Sequence, residues 1–476
     1  MSDNETAELV IIGAGTGGYR AAFMAADLGL DVTLIDPEVN PGGVCLYRGC
    51  IPTKALLQLA KIKEDAVSLA DKGLKFSEPD IDIDKIRKWK EKVVSKLTGG
   101  LGQLVKSRKI NYIRGRAKFK DNESLDLELT DGGSEKLKFK NAIIATGVVP
   151  AALPGIDINI PGVMDYSEAL EIKDIPGNLL VVGGGYIGLE MATIYHSLGS
   201  KVTICELTPG FLPGTDKDLL DEYMKTGSDI YKDIFLETKV ENVKEKGKKL
   251  EVKFRNKEKG SFTATYDKML VAIGQKPDTS FLGIDRLNID TDDKGYIKVN
   301  GAQQTAEKNI YAIGDITGPP LLAHKASYEG MIAAEAIAGK KVVNDSRAIP
   351  SVVYTEPEIA VCGLTENEAA EQDIKYEKVK FPWQASGRAV AMGAAHGFTK
   401  LLIDPETERL LGAGIVGKNA GDLIPEIAVA IEIAATAEDL SLIIHPHPTL
   451  SETIMEAAEL FYGHPVHIHR KRSKRK

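Results

Sequence analysis

One pattern, written twice, limits what this chain can fold into. Leu9-Val10-Ile11-Ile12 is a short apolar run of the kind buried in a parallel sheet, and it leads straight into Gly13-Ala14-Gly15-Thr16-Gly17-Gly18. An alanine-rich helical stretch follows (Ala21, Ala22, Ala25, Ala26) and stops at Gly29. A second apolar run, Val32–Ile35, then ends on Asp36. The glycines permit a tight turn and let backbone N–H groups approach a pyrophosphate at a helix N-terminus. The acid can accept hydrogen bonds from a ribose. The unit recurs as Leu179–Val182, Gly183-Gly184-Gly185-Tyr186-Ile187-Gly188, a helix to Gly199, and Lys201–Cys205 ending on Glu206. Positions 13, 15, 18 and 36 thus return at 183, 185, 188 and 206, a constant offset of 170. One such turn is a weak signal, since glycine-rich turns are common. Two with the same flanks and the same acid predict two bound dinucleotides.

Other strand-like runs end in Ala145-Thr146-Gly147 and Ala272-Ile273-Gly274, and another leads into Tyr311-Ala312-Ile313-Gly314-Asp315. If the second nucleotide unit is inserted in the first, the Gly314-Asp315 segment carries the chain back. Lys118–Phe139 alternates apolar and polar residues around Asp131-Gly132-Gly133, which predicts a small antiparallel hairpin. After Pro350 the nucleotide turns cease, and a separate domain is expected over 348–476. A length of 476 residues accommodates about three domains at roughly 150 residues each. The net charge of −8 gives no general pull toward nucleic acid or anionic membranes. The acidic start, Met1-Ser2-Asp3-Asn4-Glu5, lacks the basic region of a signal peptide, and charges interrupt every long apolar stretch. A soluble, cytoplasmic protein is expected.

Two of the four cysteines stand in Gly42-Gly43-Val44-Cys45-Leu46-Tyr47-Arg48-Gly49-Cys50-Ile51-Pro52-Thr53-Lys54. A zinc site would need a further Cys or His pair nearby, and none is visible, so no metal is expected. Disulfides in the cytosol are mostly transient and catalytic, which favours redox exchange. Exchange needs a thiolate, favoured by a helix N-terminus or by a cation such as Arg48, and Lys54 lies one helical turn beyond Cys50. Cys205 and Cys362 sit in apolar settings and read as buried small hydrophobes. Near the C-terminus, His447 stands between Pro446 and Pro448, with Glu452 close enough to orient an imidazole. Alone, this would be a loop before a helix. Beside a redox pair it supplies the acid–base group that dithiol oxidation requires.

These segments together resemble the pyridine nucleotide–disulfide oxidoreductases over nearly the whole chain. The likeness includes Leu322-Ala323-His324-Lys325-Ala326, Pro350–Pro357, Gly414–Leu423 and His445–Glu452 as well as the segments above. It implies an α/β fold of two Rossmann-like dinucleotide-binding domains, the NAD domain inserted in the FAD domain, with a C-terminal α+β dimerisation domain. The implied division is 1–150 (FAD, first part), 151–275 (NAD), 276–347 (completing the FAD domain) and 348–476 (dimerisation, with a basic tail). FAD would use the Gly13, Gly15 and Gly18 turn, Asp36, Lys54, Ala117, Gly147, Asp315 and Ala323. NAD would use Gly183, Gly185, Ile187, Gly188, Glu206, Val240, Ala272 and Gly274, while Glu190 pairs with Lys54. Cys50 would face the flavin, Cys45 would meet substrate, and His447 with Glu452 would act from the other subunit of a homodimer.

The implied reaction is oxidation of protein-bound dihydrolipoyl groups with reduction of NAD. The implied partner is the lipoyl-bearing acyltransferase of a 2-oxo acid dehydrogenase complex or the glycine cleavage carrier protein. The family loop usually has Asn-Val where this chain has Tyr47-Arg48. Asp36 replaces the usual Glu, and Gln275 stands where Arg is common, at a position expected to meet NAD. The rivals are an NADPH-dependent reductase of glutathione or another disulfide, which the acid at Glu206 opposes, and a flavin-loaded subunit without turnover, which the intact Cys45, Cys50 and His447 oppose.

Overall fold

A computed structural model describes residues 6–469. Its first sheet runs parallel in the order Ile310–Ala312, Ser134–Ile144, Thr6–Ile12, Val32–Asp36, Asn111–Asp121. The central strands are almost wholly apolar because both faces are covered, one by the helices Thr16–Asp27 and Ala323–Ile337 and the other by apolar side chains of an antiparallel meander, which is the burial a parallel sheet demands. Asn111–Asp121 and Ser134–Ile144 outrun this sheet, and Ser124–Leu129 fills the gap between their ends by antiparallel pairing. The expected hairpin is therefore a three-stranded meander. Its first turn, overlooked in the sequence, is set by Asp121, whose Oδ1 accepts from Glu123 N at 3.0 Å and Ser124 Oγ at 2.8 Å.

The second unit repeats this plan. Val163–Met164, Lys268–Val271, Asn178–Val182, Lys201–Cys205 and Tyr231–Phe235 form a parallel sheet in that order. A meander of Thr238–Lys246, Lys249–Asn256 and Gly260–Tyr266 lies beside it. The chain leaves and re-enters the first unit through a two-stranded strap, Val148–Pro150 against Gln275–Pro277. Ile310–Ala312 then rejoins the first sheet beside Ala142–Ile144, so the insertion is visible in the strand order itself.

The C-terminal part is an antiparallel sheet in the order Ser351–Val353, Glu358–Gly363, Leu410–Gly417, Phe398–Ile403, Glu377–Pro382. The helices Ala420–Glu432 and Glu452–Tyr462 pack against it, over a core that includes Trp383, Phe381, Ile427 and Phe461. Two features lock this part to the rest. Buried Lys400 donates to Asp216 and Asp218 of the second unit, each at 2.7 Å, and to Glu366 at 2.9 Å. Three carboxylates around one ammonium keep that charge paired out of water. The helix Cys50–Ser68, from the first unit, inserts Leu56 and Leu57 among Met191 and Tyr195 of the second and Val353 and Ile359 of the C-terminal part. The helix that begins with Cys50 is thereby fixed where all three parts meet. Among the described residues, no helix is long and apolar enough to cross a membrane.

Candidate active site

Both glycine turns are built by the same contacts. Gly13 and Gly183 have φ of +99° and +112°, and a Cβ would stand 2.4 Å from Ala145 O in one case and 2.3 Å from Ala272 O in the other. Gly18 and Gly188 press their helices onto the turns, where a Cβ would fall 1.9 Å from Gly13 O and 2.1 Å from Gly183 O. Gly185 instead faces open space, and a Cβ on Gly15 would meet only Gly43 Cα at 4.0 Å, which leaves a cradle for a ligand at each turn. The helices Thr16–Asp27 and Tyr186–Ser197 start there with no side-chain cap and no acid in the first turn, so their N–H groups are available to phosphate. The acids brace these turns alike: Asp36 Oδ2 accepts from Ala14 N at 2.7 Å, and Glu206 Oε2 from Gly184 N at 2.6 Å.

A cleft of about 330 Å³ runs from the first turn to the cysteines, lined by Gly13, Gly15, Asp36, Cys45, Cys50, Lys54, Ala117, Gly147, Asp315 and Ala323. Thr146 Oγ1 and Asp315 Oδ1 are buried in its wall without a hydrogen-bond partner. Burial pushes the Asp315 carboxyl up to about 6, with Lys325 opposing and Glu329 adding to the shift. Orphaned buried polar atoms are costly, and a polyhydroxylated ligand would satisfy them. A phosphate cradle, a ribose-level acid and unsatisfied polar atoms further along fit FAD. Ile187 and Glu190, from the second unit, also line this cleft, so the second nucleotide helix forms part of its wall. Gln275 lies here too, on the strap, its Nε2 at 3.3 Å from Tyr166 Oη of the second unit. Gly183, Gly185, Gly188, Glu206, Ala272 and Gly274 belong to the second turn and its flanks. Val240 packs into the core beside Val182 and Val271, so only its backbone is offered to a nucleotide.

Cys45 lies on the short helix Gly43–Arg48 and Cys50 opens the helix Cys50–Ser68; both are free thiols. Cys50 is surrounded by protein, yet its thiol faces the open cleft. A hydrogen bond from Cys45, with help from Lys54, lowers Cys50 to about 7 against the opposing effect of burial. The same hydrogen bond and burial push Cys45 up. Lys54 reaches both carboxylate oxygens of buried Glu190, at 2.9 and 2.8 Å, and stands 4.5 Å from the centre of the Tyr354 ring. Tyr354 N in turn donates to Glu190 Oε1 at 3.1 Å. Arg48, expected as a thiolate partner, pairs with Glu38 at the cleft's rim instead. Cys205 and Cys362 are buried, and burial raises both.

His447 Nδ1 lies 2.8 Å from Glu452 Oε1, and Thr449 N donates to Glu452 Oε2 at 2.7 Å. With Nδ1 donating to the carboxylate, Nε2 is left as the base. This side chain is 73% exposed and does not line the cleft, so a single chain keeps His447 and the cysteines apart. His445 is the structural neighbour: 5% exposed, it bonds Glu426 at 2.9 Å. Arg470–Lys476 of the basic tail lies outside the described residues. Sequence reasoning missed Tyr354 and Thr146. Thr146 was signalled by its place between Ala145 and Gly147; Tyr354 lies within Pro350–Pro357, but its partners Lys54 and Glu190 are remote in sequence.

Residues 7–330 match the family described as pyridine nucleotide-disulphide oxidoreductase, and residues 349–458 match its dimerisation domain. Dihydrolipoyl dehydrogenase of Vibrio cholerae is 46% identical over 476 residues, covering 100% of both chains. The Thermus scotoductus protein of that name is 42% identical, over 98% of this chain and 99% of its own. Among solved structures, LpdA of Mycobacterium tuberculosis is similar at a TM-score of 0.88 and 26% identity, covering 96% of this chain and 100% of that one. A Cu(II) complex of the HOCl-induced flavoprotein disulfide reductase RclA of Escherichia coli is similar at 0.85 and 29%, with the same coverage.

Proposed function

The chain belongs to the pyridine nucleotide–disulphide oxidoreductases, and from that membership we propose how its residues divide the work of oxidising protein-bound dihydrolipoyl groups to lipoyl groups with reduction of NAD. It is a flavoprotein disulfide oxidoreductase that uses FAD and NAD, and it carries the family's dimerisation domain. FAD, when bound, relays an electron pair from the dithiol to NAD as a hydride.

In the oxidised enzyme Cys45 and Cys50 form a disulfide. A substrate thiolate attacks the Cys45 sulfur, the Cys45–Cys50 bond breaks, and Cys50 leaves as a thiolate beside Lys54. The second substrate sulfur, deprotonated by His447 of the partner subunit, then attacks the mixed disulfide. The attack falls on the substrate sulfur, so the ring S–S bond forms as the Cys45–substrate bond breaks, and Cys45 leaves with the proton that the imidazole took. Two electrons now rest on the cysteine pair. The low Cys50 value favours its departure and its persistence as a thiolate at neutral pH. Glu452 holds the imidazole with Nε2 toward the reacting sulfur. We assign the boundaries 1–150, 151–275, 276–347 and 348–476 to the four segments, and a lipoyl-bearing acyltransferase or carrier protein as partner. We assign a cytoplasmic setting, since the only disulfide invoked is the catalytic one and Cys205 and Cys362 are buried and unpaired.

One observation carries this reading: a thiol pair with a depressed Cys50 stands in the cleft where the two nucleotide-binding units meet. The test is a rate comparison on pure protein, dihydrolipoamide with NAD against glutathione disulfide with NADPH. The first should exceed the second by orders of magnitude. A faster second reaction would assign the chain to the disulfide reductases of the family.

A further inference from the structure

Arg48 has no part in the chemistry above, although it lines the cofactor cleft. The other cations in that wall are Lys54, bound to Glu190, and Arg116, on the strand that carries Ala117 beyond the level of Asp36. The helix bearing Arg48 begins directly against the first glycine turn, where a Cβ on Gly43 would stand 2.5 Å from Gly15 Cα. The helix thus starts at the phosphate cradle, and Arg48, at its other end, lines the same cleft.

The backbone of its partner, Glu38, is held by two tyrosines. Tyr112 Oη donates to Glu38 O at 3.0 Å, and Tyr47 Oη donates to Asn40 O at 3.0 Å, which pins the backbone that carries Glu38. The ion pair itself is half-exposed, with side chains 45% and 26% accessible, and such pairs are weak and exchangeable. The charge of Arg48 is felt by Asp36 and also by Tyr166, the partner of Gln275. Two departures from the family's usual residues thus face one cleft: a cation is present at 48 and absent at 275. FAD brings two phosphate charges to this place, and a guanidinium binds phosphate through paired N–H groups.

We propose that Arg48 is a cofactor-holding residue that exchanges Glu38 for the FAD diphosphate, supplying beside the glycine turn the positive charge that Gln275 does not. Glu38 is then a parking partner, and removing it should not harm cofactor retention.

The test uses holoenzyme and three variants, Arg48→Val, Arg48→Lys and Glu38→Gln. FAD dissociation constants are read from flavin fluorescence, with riboflavin, which has no phosphate, as the control ligand. Arg48→Val should weaken FAD by about 10- to 100-fold, the loss of one charge-assisted contact, and leave riboflavin unchanged. Arg48→Lys should fall between, and Glu38→Gln should hold FAD as tightly as the parent or more so. Unchanged FAD affinity in Arg48→Val would overturn the proposal. So would equal weakening by Arg48→Val and Glu38→Gln, for FAD and riboflavin alike, because that is the mark of an ion pair that only braces the fold.

Discussion

Lys54 is where the thiols, the second nucleotide unit and the C-terminal domain act on one another. Its ammonium lowers Cys50, while Glu190, which holds that ammonium, raises it. The two side chains therefore have opposite effects on one observable. In enzyme reduced by two electrons, the Cys50 thiolate should give a long-wavelength charge-transfer band with the flavin. That band should grow as pH rises, with a midpoint at about 7 and not at the ordinary thiol value of 9.0, because the folded site favours the charged form. Lys54→Met removes a cation and should move the midpoint upward by about one unit; Glu190→Gln removes an anion and should move it downward. Spectrophotometric titration reads both. Midpoints moving in the same direction would mean that Glu190 acts only by positioning Lys54.

On the proposed assignment each glycine turn is an element with its own ligand, and the repeat allows them to be broken separately. Gly183→Ala places a methyl 2.3 Å from Ala272 O in a left-handed backbone, so the turn must open. The purified variant should still be yellow and should still form the thiolate band with dihydrolipoamide, but NAD reduction should be lost. Gly13→Ala, with its methyl 2.4 Å from Ala145 O, should lose flavin outright. Absorbance spectra and steady-state rates of the two proteins check this; loss of flavin from Gly183→Ala would show that the units do not bind independently. The turns were legible in the sequence because strand, glycines and acid lie within one short stretch that carries its own geometry. The meander was half legible: Asp131-Gly132-Gly133 marks one turn, whereas the other depends on the side chain of Asp121. Arg48 was misread as a thiolate partner because sequence proximity to Cys50 says nothing of which face of a short helix it occupies. Tyr354 and the Lys400 cluster were invisible, since their partners come from remote parts of the chain.

At the scale of the molecule, the cysteines and His447 were both legible as chemistry, but not as one site. The single chain holds them apart, with His447 exposed at 73% on the domain that matches the family's dimerisation domain. A shared site follows if two-fold pairing brings each His447 to the other subunit's cysteines. Mixing Cys50→Ser with His447→Gln, both inactive, should then restore roughly a quarter of parental activity once subunits exchange, since half the dimers carry one intact site. Recovery of nothing, with exchange confirmed by mass, would place His447 in its own chain's site. The central claim is that electrons pass through Cys45 and Cys50 on their way from a dithiol to NAD. Anaerobic titration of oxidised enzyme with dihydrolipoamide, before any NAD is added, tests it most directly. One equivalent per subunit should produce the thiolate charge-transfer band with the flavin still oxidised, NAD should then discharge it, and Cys50→Ser should show no such band. Bleaching of the flavin without that band, or an identical titration in Cys50→Ser, would contradict the account.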